Sequence, residues 1–355
     1  MSFNSEYYTH ESDKAALDAL KAIPGFSQLM KAFIKQWSER QGKIRNMSSY
    51  IRISEKQLPQ YWEMLPPICE KLGINVPELY LMMDVRPNAF TSGDTKPYIV
   101  LTSGLLDTLP EELIPTILAH ECGHIACHHV LYRTMGTILL GGTAGTLSRS
   151  PLGSVMFLPL QVAFFYWIRC SEYSADRAAV LCDGTAEKMT EVCMRLAGYS
   201  KHINTEPNVE EFFAQAREYK ELVNDSKWDK TLEFYMLANA THPFMAVRAL
   251  ECTEWAESDQ YRQILDGTYI PSEPVKTEEN KPLFDLDNLV HKFIPETENK
   301  PEETICPHCG TKNKPDAIFC KSCGKKLVQP KVCDACGGEL EGDETFCPHC
   351  GKKLK

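Results

Sequence analysis

Hydrophobic and polar positions follow a helical period over most of positions 1–266 of this chain, which has 355 residues in total. The pattern predicts helices at 12–41 (with a break at Pro24-Gly25), 54–72, about 108–133, 171–200, 209–224 and 230–257. Short runs of β-forming residues at 78–84, 88–91 and 98–102 are separated by turn residues. We therefore expect an α+β domain over 1–266 that is mostly helical and carries a small antiparallel sheet.

The helix around residue 120 has a recognisable start. Thr108 and Glu111 have the spacing of a capping box, and the apolar period then continues to about Arg133. Pro115 lies inside this segment, so we expect a kink in the early part of the helix. Cys127, His128 and His129 are expected simply to continue it.

Two apolar runs, 135–147 and 151–168, are separated by Arg149. A helix that spans a membrane needs about 20 apolar residues; the first run is too short, and the second is interrupted by Pro159 and Gln161. Two interpretations of 135–168 stay open: a hairpin buried in the core, and a hairpin that makes peripheral or inserted contact with a membrane.

Cysteine usage and the N-terminus indicate the compartment. The segment 1–21 contains no basic stretch followed by an apolar run, which argues against a secretory signal. The seven cysteines before residue 305 are scattered and odd in number, which favours a reducing environment over a disulfide framework. We expect a cytoplasmic protein, with membrane association through 135–168 as the open alternative.

The composition changes after residue 266. The segment 267–304 is rich in proline, glutamate and lysine, which is typical of a linker. Within it, 283–294 is amphipathic and is either a docking helix or a transient one. The segment 305–355 contains four CxxC pairs, arranged as two halves, 306–323 and 333–350, with the same internal spacing.

Each half of this tail has the ligands for one structural zinc ion. Four thiolates in two CxxC turns suit a tetrahedral site, and the pattern resembles a double zinc ribbon. The expected ligands are Cys306, Cys309, Cys320 and Cys323 in one ribbon and Cys333, Cys336, Cys347 and Cys350 in the other. The net charge of the protein is −10, so we expect no nucleic acid and favour a protein partner for the ribbons.

The segment His120-Glu121-Cys122-Gly123-His124 is an HExxH motif. On a helix, residues i and i+4 share a face, so both imidazoles can bind one zinc ion, while Glu121 lies beside it as a general base. A third ligand is required. The route through a third histidine after the motif is excluded, because Val130 occupies that position. Glu172, with Asp176 one turn later, is the better candidate: Glu172 as ligand and Asp176 as the partner of a ligand histidine.

Four motifs together resemble metallopeptidase family 48, the group of HtpX-like and CAAX prenyl endopeptidase-like zinc proteases of the gluzincin type. They are PNAF at 87–90, LAHECGH at 118–124, SEYSADRAA at 171–179 and THPFMAVR at 241–248, within a family core of about 50–255 that follows N-terminal helices at 1–50. Pro115 and Cys122 depart from what we expect of the family.

The resemblance implies a role for several residues. His120, His124 and Glu172 would bind the catalytic zinc, and Glu121 would be the general base. His242 would stabilise the oxyanion of the tetrahedral intermediate, and Arg248 would brace the site. Asn88, Ala89 and Phe90 would lie on an edge strand to which an extended substrate adds by β-pairing.

The expected function is therefore that of a zinc metalloendopeptidase acting on protein or peptide substrates, with one catalytic and two structural zinc ions. The tail would recruit a substrate or a partner. The alternative is a zinc-binding adaptor without enzymatic activity, although the intact Glu121 speaks against it.

Overall fold

The computed structural model describes most of the chain before residue 272 and parts of the tail. The described residues are 2–23, 26, 30, 33, 39–93, 95–141, 151–200, 202, 203, 205, 207–225, 244–271, 304–306, 308–313, 320–325, 331, 332, 339 and 340. The chain divides into two compact units, Met1–Phe293 and Ile294–Lys355. Most of the predicted linker, including 283–294, lies outside the described residues.

Helices dominate the first unit. In chain order they are α1 (Ser5–Tyr8), α2 (Glu11–Ala22), α3 (Glu39–Ser49), α4 (Pro59–Trp62), α5 (Leu65–Leu72), α6 (Ser103–Thr108), α7 (Ile114–Ala126), α8 (Val130–Gly141), α9 (Pro151–Asp183), α10 (Glu187–Ala197), α11 (Val209–Asp225), α12 (Met245–Ala256) and α13 (Asp259–Leu265). The prediction of a mostly helical α+β domain is confirmed.

A four-stranded sheet lies among these helices, and it is mixed rather than antiparallel as the sequence pattern suggested. Its strands are β1 (Ile51–Ile53), β2 (Glu78–Met82), β3 (Ala89–Ser92) and β4 (Tyr98–Thr102), in the order β1-β2-β4-β3. Strand β4 inserts between β2 and β3 and runs parallel to β2. Every residue of β4 is buried, which explains why this strand takes an inner position and leaves β3 at one end of the order.

Helices α7 and α9 form the centre of the domain. Gly123 permits their close approach, because a Cβ atom at this position would lie 2.7 Å from the Cβ atom of Ala178 and 3.0 Å from the Cα atom of Ala175. The larger hydrophobic core surrounds this contact and includes residues of α5, β4, α10 and α12. The tight packing fixes the HExxH helix relative to the helix that carries Glu172.

Several helix boundaries differ from the prediction. Thr108 ends α6 and does not cap α7, because a short 3-10 turn, Glu111–Leu113, intervenes. Pro115 is the second residue of α7, in the first turn, where its missing N–H needs no partner, so it fits the start of the helix and the expected kink is not required. Helix α9 begins at Pro151, well before the predicted start at 171, and ends just before Gly184, whose φ is +75°.

The two ends of the apolar segment 135–168 take part in a second hydrophobic core, whereas 142–150 lie outside the described residues. Phe164, Trp167 and Ile168 of α9 pack there with Leu20 of α2 and Met135 of α8. In the described part of the chain, no helix combines the length and the apolar character that a membrane span requires.

The second unit contains two small antiparallel pairs. Strand β5 (Thr304–Ile305) pairs with β6 (Lys312–Asn313), and β7 (Lys331–Val332) pairs with β8 (Glu339–Leu340). The second pair stands in the same position relative to its CxxC motifs as the first pair does, in agreement with the cysteine repeat.

Candidate metal centre

Three predicted ligands converge between α7 and α9. His120 and His124 project from α7, and Glu172 projects from α9; their ligand atoms lie within 4.8 Å of one another. The Nε2 atom of His120 is 3.5 Å from Glu172 Oε2, and that of His124 is 3.3 Å from Glu172 Oε1. All three side chains are buried. The i, i+4 spacing on one helix and the packing against a second helix together produce this cluster.

His120 is oriented by a carboxylate and a guanidinium. Its Nδ1 atom lies 2.8 Å from Asp176 Oδ1, and Arg248 donates from Nη2 to Oδ1 at 2.6 Å and from Nε to Oδ2 at 2.8 Å. Burial raises the pKa of Asp176, but the charge and hydrogen bonds of Arg248 outweigh it and hold that pKa below its usual value. Asp176 is therefore an ionised acceptor, and His120 presents Nε2 to the cluster.

Burial and charge act differently on the two histidines. Burial lowers the pKa of His120, but Asp176 and Glu172 outweigh it and raise that pKa to about 9. Burial and the nearby Arg133 hold the pKa of His124 well below its usual value, so its imidazole is neutral and retains a lone pair. A cation bound between the rings would compete with the proton that the carboxylates favour on His120.

Two arginines flank Glu172. Arg133 Nη1 lies 2.6 Å from Oε1, and Arg248 Nη1 lies 3.6 Å from Oε2. Arg133 also donates to Ser171 Oγ at 3.0 Å. These contacts place positive charge beside the fully buried carboxylate and fix its direction.

The cluster fits zinc. Two imidazole nitrogens and one carboxylate oxygen are a donor set that zinc accepts in sites that keep a further position for water. Among the described residues, the buried Nε2 atom of His124 has no hydrogen-bond partner of acceptable geometry, as expected of an atom reserved for a metal.

Comparison with known proteins agrees with this geometry. The family model "Peptidase family M48" matches residues 61–256, more than half of the chain, and a double zinc ribbon model matches 306–351. The chain belongs to peptidase family M48. It is a zinc metalloprotease with a C-terminal double zinc ribbon.

Similar curated proteins include a plastoglobule-localized metallopeptidase 48 from the chloroplast of Arabidopsis thaliana, 31% identical over 74% of this chain and 76% of that protein. A protease HtpX homolog of Ralstonia pickettii is 22% identical over 48% of this chain and 67% of its own length. Protease HtpX homolog 2 of Methanosarcina mazei is 26% identical over 41% of this chain and 58% of its own length. No solved structure matches the chain.

The Glu121 carboxylate of this M48 domain is held by the sheet. Thr91 in β3 donates its hydroxyl to Glu121 Oε2 at 2.6 Å, and Glu121 is buried. Ala89 and Thr91 share one face of β3 and Phe90 lies on the other, where it packs near Tyr80 and Tyr98. Strand β3 thus meets the HExxH helix directly.

Of the other predicted site residues, Asn88, Ala89 and Phe90 lie together at the start of β3. Asn88 precedes the strand, is exposed, and pairs with Thr102 through its backbone N–H and C=O. Arg248 reaches the site from α12, as described above. His242 lies outside the described residues.

In the first ribbon, the four cysteines come together. Cys306 Sγ is 3.7 Å from Cys323 Sγ, and Cys309 Sγ is 3.5 Å from Cys320 Sγ. These separations are close to the roughly 3.8 Å edge of a tetrahedron with Zn–S bonds of about 2.3 Å. They are far longer than a disulfide bond of about 2 Å. Cys333, Cys336, Cys347 and Cys350 lie outside the described residues.

Several contacts of the site were not anticipated from sequence. Thr91 belongs to no recognised motif. Only its position two residues after Ala89, on the same face of β3, could have suggested that its side chain points toward the site. The expectation that Cys127, His128 and His129 continue the helix is wrong. Helix α7 ends at Ala126, and His128 has a φ of +58°, which turns the chain back toward His124.

Replacing Thr91 by valine should lower kcat roughly 10- to 150-fold, since a hydrogen bond to a charged group contributes about 1.5–3 kcal/mol. Valine keeps the shape of the side chain but cannot orient Glu121. Steady-state peptide cleavage measures the effect, and Thr91→Ser, which retains the hydroxyl, is the matched control. Equal rates for valine and threonine would show that the bond does not matter for catalysis.

Proposed function

We propose that the chain is an endopeptidase in which His120, His124 and Glu172 hold the catalytic zinc and Glu121 is the general base. When bound, zinc would polarise the scissile carbonyl and lower the pKa of a water ligand toward about 7. Glu121 accepts a proton from the attacking water and passes it to the leaving amine nitrogen. The convergence of three buried donors beside a carboxylate fixed by Thr91 is the observation that carries this proposal.

The oxyanion of the tetrahedral intermediate requires a hydrogen-bond donor. His242, in the family motif 241–248, is proposed for this role. Arg248 is proposed to brace the site through Asp176, which it contacts with two hydrogen bonds.

An extended peptide is proposed to bind along β3. This strand pairs with β4 on one side and stands at the end of the strand order. Because Thr91 of β3 contacts Glu121, a peptide that pairs with Asn88, Ala89 and Phe90 would pass close to the general base. Backbone pairing of this kind recognises unfolded or extended segments without requiring a particular sequence.

Zinc counting tests the proposed function. The purified chain should contain three zinc ions: one catalytic and one in each ribbon. Chelation should abolish the digestion of casein, and added zinc should restore it, with Mg²⁺ as the control cation. Two zinc ions and no digestion would contradict the endopeptidase and favour an adaptor that binds through its ribbons.

The ribbons are proposed to recruit protein substrates or a partner. A zinc ion held by four thiolates has no open coordination position for a substrate or water, so the ribbons are not suited to catalysis. Replacing Cys320, which is buried in the first ribbon, by serine should remove one zinc ion and slow the cleavage of a protein substrate. Cleavage of a short peptide should not change. Lys321→Ser, an exposed neighbour in the same turn, is the control, and equal slowing of both substrates would contradict recruitment.

A further inference from the structure

The second histidine ligand has a partner beyond the HExxH motif. The Nδ1 atom of His124 lies 3.0 Å from the Nδ1 atom of His129. The left-handed conformation of His128 makes this contact possible, and the backbone N–H of His129 donates to the carbonyl oxygen of His124 at 3.0 Å. The chain thus folds back at the end of α7 and places one imidazole behind the other.

His129 in turn contacts a carboxylate from the N-terminal helix. Its Nε2 atom lies 2.8 Å from Asp13 Oδ2, and both side chains are buried. Asp13 also accepts hydrogen bonds from Ser174 Oγ at 2.6 Å and from Trp167 Nε1 at 2.9 Å. Burial raises the pKa of Asp13, but His129, Ser174 and Trp167 outweigh it, so the carboxylate stays ionised and acts as an acceptor only.

The positions of the protons follow from this acceptor. Because Asp13 can only accept, His129 must donate its Nε2–H to Asp13, and its Nδ1 atom serves as the acceptor in the contact with His124. His124 must then donate Nδ1–H to His129, which leaves its own Nε2 lone pair directed into the metal cluster. The opposite tautomer of His124 would place a proton where a metal must bind.

We propose that Asp13, acting through His129, is a positioning residue that sets the tautomer and ring orientation of His124 for metal binding. The inference rests on the proposed zinc site and extends it to the N-terminal helix α2, which precedes the residues matched by the family model. His120 has a direct carboxylate partner in Asp176, whereas His124 reaches its carboxylate through one intervening imidazole. Both ligands are thereby backed by a negative charge.

The test is the zinc affinity of the full chain, measured by dialysis against buffers of graded free zinc. Loss of such a partner typically weakens metal binding about 10- to 100-fold. We expect this weakening at one of the three zinc sites in Asp13→Asn, and in His129→Phe, which keeps an aromatic ring but removes both nitrogens. The ribbon sites serve as an internal reference, since they should be unchanged.

Matched controls separate positioning from folding. Asp18→Asn, at an exposed position of the same helix as Asp13, should bind zinc within threefold of the wild type. Ser174→Ala removes another partner of Asp13 but leaves its contact with His129, so it should also stay within threefold. A structural role alone would make Ser174→Ala resemble Asp13→Asn. Melting temperatures of the zinc-free proteins report folding. If Asp13→Asn does not fold, the zinc affinity of His129→Phe tests the proposal in its place.

The outcomes are distinguishable. Wild-type affinity at all three sites in both Asp13→Asn and His129→Phe would overturn the inference while leaving the proposed function intact. A wild-type chain that binds only two zinc ions would instead remove the proposed catalytic centre itself.

Discussion

Replacing Glu121 by glutamine should abolish peptide cleavage while the protein keeps its fold and all three zinc ions. Glutamine has nearly the same shape, and its amide oxygen can still accept the hydrogen bond that Thr91 donates to Glu121 Oε2. The amide cannot take a proton from water, however. A positioned general base contributes about 10²- to 10⁴-fold to the rate, so kcat should fall by a factor in this range.

The measurement is casein digestion together with steady-state cleavage of a short peptide, and metal analysis of the same samples. Glu112→Gln is the matched control, because Glu112 is exposed and lies just before α7. It should retain wild-type activity. If Glu121→Gln cleaved at the wild-type rate with its zinc in place, the role of Glu121 as base would be refuted.

The site divides into a part that is local in sequence and a part that is not. His120 and His124 stand one turn apart on the same helix, so their common direction follows from helical geometry alone. Glu172 is distant from both in sequence and belongs to another helix, so periodicity cannot place it. Only its spacing to Asp176, and the resemblance of the surrounding motif, pointed to α9. The structure brings the three side chains together through the contact at Gly123.

The sequence could not predict the roles of Thr91, His129 and Asp13, for a different reason. Each reaches the site through tertiary contacts that no local pattern encodes. A threonine in a strand is usual, and a histidine after a helix usually signals nothing. The decisive local event is the left-handed backbone at His128, a conformation that a histidine adopts infrequently and that periodicity does not report.

The fold shows the same division. Helices with a clear apolar period were predicted, but their ends depend on competition between local signals. Pro115 is compatible with the first turn of a helix, and this preference prevailed over the capping box at Thr108. For the four-stranded sheet, local pattern identified β2, β3 and β4 but missed the short strand β1. It also did not give the strand order, because the central position of β4 is decided by burial against helices distant in sequence.

Replacing Glu172 by glutamine should remove the catalytic zinc and, with it, all proteolysis. The carboxylate is the only negatively charged member of the proposed ligand set, and an amide oxygen is a much weaker ligand for zinc. We expect affinity at this site to fall by more than the roughly 100-fold that loss of a partner behind a ligand costs. The substitution also leaves the positive charge of Arg133 without the carboxylate that it contacts at 2.6 Å.

The zinc-free protein should therefore become less stable as well. Breaking a buried ion pair by removing one partner costs about 3–5 kcal/mol. The lower end of this range applies here, because Arg133 is partly exposed and Arg248 keeps its ion pair with Asp176. For a domain of this size, about 3 kcal/mol corresponds to a decrease in melting temperature of roughly 6–12 °C. Calorimetry of chelated samples measures it, and Glu187→Gln, at an exposed position of α10, is the control. If Glu172→Gln kept three zinc ions at wild-type affinity, the third ligand would have to be another residue.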